Sequence, residues 1–168
     1  DGTLVDSAEL AIRAAEDGLR EYYAARGLPP VVPGPDEIRS LVGLPSLEYF
    51  ARLLPPERRG DAAEARRRIA GRECERLARG EGRLFPGARE ALTALREEGW
   101  RVGLVSNCGR IYLEANLRHL RLEEWVETAL CLDDRSTKTE NVREALLRLR
   151  CSGGVMLGDR AGALEAGR

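Results

Sequence analysis

From residue 81 onward, short apolar runs alternate with amphipathic stretches of helical length, and this alternation restricts the possible folds more than any other feature. Phe85-Pro86-Gly87 opens a helix over 88–98 that ends at Gly99, and the run Arg101-Val-Gly-Leu-Val-Ser106 then reads as a short buried strand. A helix at 109–120, a strand at 127–132, a helix at 140–150 and a strand at 153–158 continue the pattern. Strands separated by helices pair in parallel, because a parallel neighbour is reached only through a crossover. The expected fold class is α/β, with a Rossmann-like parallel-sheet core.

Residues 8–80 read differently. Ser7 is a good N-cap, and Leu10, Ala11, Ala14, Ala15, Leu19, Tyr22 and Tyr23 form an apolar stripe ending at Gly27. A Pro-rich turn from Pro29 to Pro35 leads to Asp36 as a second cap. Two short amphipathic pieces at 37–42 and 46–54 follow, then a charged helix over 57–79. Arg66-Arg67-Arg68 on that helix is offset by Glu64, Glu73 and Glu75, which reads as a solvated face. The expected organisation is a first core motif at 1–7, a helical insert at 8–80 and an α/β core at 81–168.

Charge narrows the function. The 168 residues carry 27 Lys+Arg against 28 Asp+Glu, a net charge of −1, so a nucleic acid or membrane surface would meet no cationic field. Cys74, Cys108, Cys131 and Cys151 show no paired metal spacing, and the single histidine, His119, has no partner at ligand spacing. A reduced, cytoplasmic setting is expected. The basic residues comprise 26 Arg and one Lys, Lys138. A lysine kept in such a background marks a place for a compact ammonium charge, although one lysine must stand somewhere.

In an open parallel sheet, ligands bind beyond the carboxyl ends of the strands. Ser106-Asn107 ends one expected strand, Lys138 lies in the loop after the next, and Asp159 ends the last. Singly, Ser106 reads as a helix cap, Lys138 as solvated and Asp159 as a turn residue. Together, a hydroxyl, an amide, an ammonium and a carboxylate make a site for a phosphate group and a hard cation such as Mg²⁺.

Asp1-Gly2-Thr3-Leu4-Val5-Asp6-Ser7, Ser106-Asn107, Lys138 and Gly158-Asp159-Arg160 resemble, in order, the four motifs of the haloacid dehalogenase superfamily. The nearest branch resembles the phosphoglycolate phosphatases and related small-cap phosphatases. The resemblance implies a Mg²⁺-dependent phosphatase that hydrolyses a small phosphorylated metabolite through an aspartyl-phosphate intermediate. It implies Asp1 as general acid/base and, through its carbonyl, a Mg²⁺ ligand. Thr3, Ser106, Asn107 and Lys138 would bind the phosphoryl group, with Lys138 also catalytic, and Asp159 would be the second Mg²⁺ ligand. The helical insert becomes a mobile cap, with Gly43, Leu44 and Pro45 as its substrate-facing turn.

That family places its nucleophile two positions before Asp1, on the sheet's central strand. The chain is accordingly expected to be a fragment, lacking the first and last core strands. Ala163 also stands where the fourth motif commonly has a second acid, and Glu165 would face elsewhere on a helix. A phosphosugar mutase and a catalytically inactive binding module are the alternatives. No nucleic acid or membrane partner is expected, and the assembly is expected to be a monomer or homodimer.

Overall fold

In a computed structural model of the chain, which describes residues 1–159 and 161–166, the first half is helical because its apolar residues recur on single helix faces. Helix α1 (Ala8–Ala24), α2 (Pro35–Leu41), α3 (Ser46–Arg52) and α4 (Ala62–Ala78) enclose one core. Leu19, Tyr22, Ile38, Leu53 and Ile69 are fully buried there. Burial of each aliphatic side chain contributes about 1.5–3 kcal/mol. The α1–α4 crossing is close at Gly18, where a Cβ would stand 2.6 Å from Ile69 Cγ1 and 2.8 Å from its Cα. The expected helix over 57–79 is divided: Pro56–Asp61 forms a 3₁₀ turn and α4 begins at Ala62. Pro55-Pro56 and the poor helix former Gly60 account for the break.

A two-stranded antiparallel ribbon marks where the chain leaves and re-enters the second half. Strand β1 (Val5–Asp6) pairs with β2 (Arg83–Leu84), Val5 opposite Leu84 and Asp6 opposite Arg83. Beyond it lie α5 (Ala88–Glu97), β3 (Val102–Val105), α6 (Arg110–His119), β4 (Val126–Leu130), α7 (Lys138–Arg148) and α8 (Ala161–Ala166). Strands β3 and β4 are parallel, with Gly103 opposite Thr128, Leu104 opposite Ala129 and Val105 opposite Leu130. Val5, Leu92, Leu120 and Leu122 form the core beneath them. Helix α7 starts two residues before the expected 140, because Thr137 and Glu140 close a capping box.

The expected strand at 153–158 requires correction. No ladder forms there among the described residues, and Val155 and Leu157 are 74% and 70% exposed. A strand exists only through its neighbours' backbone groups, and β3 is paired to β4 alone. Residues Val102–Val105 and Gly153–Gly158 instead line one cavity.

Candidate active site

Each residue expected at the sheet's carboxyl rim lines this same cavity: Asp1, Thr3, Ser106, Asn107, Lys138 and Asp159. Ser106 leaves β3 with its N–H donating to the Leu130 carbonyl (2.9 Å), and its Oγ accepts from the Cys108 N–H (3.3 Å). Asn107 is committed differently from the phosphate-binding expectation. Its Nδ2 donates to the Gly43 carbonyl (3.1 Å), while its own carbonyl accepts from the Ser46 N–H (3.1 Å). The rim is thereby clasped to the turn before α3. Gly43 and Leu44 of that turn line the cavity, but Pro45 does not.

On the opposite side, Thr3 Oγ1 donates to Asp159 Oδ1 (3.4 Å). Gly2 has φ +71°, and a Cβ there would meet Asp159 Oδ2 at 2.2 Å, so only glycine fits between the first motif and this carboxylate. Lys138, the first residue of α7, is half-buried; burial lowers its ammonium, and the negative charge of Asp159 opposes that shift. This coupling places Lys138 and Asp159 in one electrostatic neighbourhood.

Three further residues of the cavity wall were not among the expected site residues. Tyr112 on α6 donates its hydroxyl to Asp1 Oδ1 (3.0 Å), across 111 positions of sequence. Glu73 on α4 is buried, and burial alone raises its carboxyl to about 8. Tyr49 on α3 is also buried, and its hydroxyl has no partner. Glu73 had a readable signal: with Ala65, Ile69 and Leu77 it continues the i, i+4 stripe that α4 buries, so it does not belong to the solvated face assigned to it. The Cys108 thiol is pushed up to about 11 by burial, which makes it a poor nucleophile.

The oxygen donors Asp1, Asp159 and Thr3 suit a hard cation. Among the described residues no three His, Cys, Asp or Glu side chains cluster as ligands. One carboxylate, from Asp159, and the Asp1 backbone carbonyl, supplemented by water and substrate oxygens, would meet the needs of Mg²⁺, so the donor set fits that ion. Ala163 is buried, and a Cβ on Gly158 would stand 2.5 Å from its Cβ. Glu165 is exposed, so it brings no carboxylate to this wall. Arg160, at the end of the fourth motif, lies outside the described residues.

The family profile described as haloacid dehalogenase-like hydrolase matches residues 1–168. The chain belongs to this family. Several solved structures share the haloacid dehalogenase-like fold. CbbY from Rhodobacter sphaeroides, in complex with phosphate, superposes with a TM-score of 0.76 at 24% identity, over 99% of this chain and 78% of that one. A haloacid dehalogenase-like hydrolase from Bacteroides fragilis gives 0.76 at 20% identity, over 99% and 79%. Protein Tyrosine Kinase A from Mycobacterium tuberculosis gives 0.72 at 26% identity, over 99% and 74%. No curated protein matches the chain.

Proposed function

We propose that this haloacid dehalogenase-like hydrolase is a Mg²⁺-dependent phosphatase acting on a small phosphorylated metabolite. The observation that carries the reading is that Asp1, Thr3, Ser106, Lys138 and Asp159 all line a single cavity, with Asp159 tied to Thr3 and coupled to Lys138. The Ser106 hydroxyl donates to a phosphoryl oxygen, as does that of Thr3 once released from Asp159, and the Lys138 ammonium offsets the charge that accumulates there in the transition state. Asp1, held by the Tyr112 hydroxyl, protonates the departing alkoxide and then takes a proton from the attacking water. The reading places the covalent nucleophile two positions before Asp1. Asp159 and the Asp1 carbonyl would hold Mg²⁺, which when bound supplies further positive charge opposite the phosphoryl oxygens.

Helices α1–α4 act in this reading as the cap over the site. The clasp of Asn107 to Gly43 and Ser46 fixes where the cap meets the rim. Two neighbours support a phosphorylated ligand: CbbY is seen with phosphate and, in another structure, with xylulose-(1,5)bisphosphate. No described helix is long and apolar enough to cross a membrane. The test is phosphate release from para-nitrophenyl phosphate by the complete natural gene product with Mg²⁺. Turnover well above that of a Lys138→Ala control is expected, and equality with the control rejects the reading.

A further inference from the structure

Glu73 is, among the described residues, the only Asp, Glu, Lys or Arg that is buried, with 7% of its surface exposed. A buried carboxyl normally faces an arginine or a set of N–H donors. In a chain with 26 arginines this one has none, and neither an ion pair nor a hydrogen bond reaches it among the described residues. The groups whose titration responds to it come from four places: Tyr49 on α3, Cys74 on α4, Cys108 at the rim and Tyr112 on α6. Tyr49, itself 7% exposed, has a buried hydroxyl with no partner. Both side chains line the cavity that holds Asp1, Ser106 and Lys138. Two unsatisfied polar groups on the cap side of a substrate cavity are a ready-made ligand contact, since each costs stability until something hydrogen-bonds to it.

We infer that Glu73 and Tyr49 form a hydroxyl-reading subsite, and that the substrate is a polyol monophosphate whose free hydroxyl they hydrogen-bond. The inference rests on the phosphatase reading for the phosphate end of the ligand. A carboxylic acid offers one O–H and one acceptor oxygen, and a phenol adds a second O–H; an alcohol can meet both. A substrate carboxylate in that place would need a cation. Of the arginines lining the cavity, Arg66 is taken by Asp133 (2.8 Å) and Arg101 by Glu127 (2.7 Å). Arg67 is exposed and lies six residues from Glu73, roughly 240° round α4. Phosphorylated carboxylic acids such as phosphoglycolate are therefore disfavoured.

Calorimetric titration of the complete gene product with methyl phosphate, phosphoglycolate and the series glycerol 3-phosphate, erythritol 4-phosphate and ribitol 5-phosphate tests this. At least one polyol phosphate is expected to bind about tenfold more tightly than methyl phosphate or phosphoglycolate. That ratio should fall about tenfold in Glu73→Leu and in Tyr49→Phe, which keeps the ring, and should persist within about threefold in Glu73→Gln. No selectivity for a polyol phosphate, or an unchanged ratio in the folded Leu and Phe variants, overturns the inference. Phosphate release is scored separately. Selectivity without turnover keeps the subsite and removes the phosphatase reading, whereas turnover without selectivity does the reverse.

Discussion

Replacing Glu73 by glutamine should stabilise this protein, and by an amount that grows with pH. The carboxyl is 7% exposed and its folded-state pKa is raised from 4.5 to about 8, with burial as the cause. For an acid shifted upward, the native state holds its proton while the unfolded chain has lost it. The buried group is therefore harmless below pH 4.5, and stability is lost progressively as pH rises from 4.5 through about 8. At about 1.4 kcal/mol per unit, the cost is about 1.5 kcal/mol at pH 5.5, about 3.5 at pH 7 and about 4.5 at pH 8.5. Glutamine keeps the shape without an ionisable proton, so this cost vanishes. Urea denaturation of both proteins at the three pH values should show the stability difference widening by about 3 kcal/mol from the lowest to the highest. All other titrations are common to the two chains and cancel in the difference. Curves separated by the same amount at every pH would refute the assignment of Glu73 as an unpaired buried acid.

Further perturbations address the rim. Lys138→Arg should stay folded but lose at least about tenfold in para-nitrophenyl phosphate turnover, because a planar fork cannot occupy a half-buried point-charge position; near-full turnover would make the lone lysine incidental. Gly2→Ala places a Cβ 2.2 Å from Asp159 Oδ2 at φ +71°, so it should cost about 1–2 kcal/mol in backbone strain alone and displace that carboxylate. Thermal unfolding together with Mg²⁺ titration reads both effects. Asn107→Ala removes the amide on Gly43 and should cost about 1 kcal/mol. Faster hydrogen exchange confined to residues 42–47 is the expected signature, and unchanged exchange there would mean the clasp contributes nothing.

Much of the second half was legible because its periods are local. The runs at 101–106 and 127–132 sit within a residue or two of β3 and β4, and helices α5 and α6 fall where Gly99 and Gly109 bound them. The segment at 153–158 was not, since Val155 and Leu157 satisfy the composition of a strand while a strand needs a partner that composition cannot supply. The β1–β2 ribbon was missed because two residues on each side leave no alternation to read. Within the site, order along the chain was enough to name Asp1, Ser106, Lys138 and Asp159 as candidates. Tyr112 carried no such signal, because its bond to Asp1 exists only after folding. The acid at position 73 was readable in principle, but an abundance of charge around it on α4 masked its place on the apolar stripe.

The clasp between Asn107 and the turn before α3 is asymmetric in what it asks of each partner. The rim contributes a side-chain amide and a main-chain carbonyl, whereas the turn contributes only the Gly43 carbonyl and the Ser46 N–H. Peptide groups are the same whatever side chain they carry. Leu44 and Pro45 can thus be exchanged without cutting either bond, while a change at Asn107 cuts one at once. Such a joint lets the turn vary its side chains toward the cavity and still return to the same seat. Variation there is decoupled from the rim, which is the condition for one scaffold to be refitted to new ligands without rebuilding the site beneath.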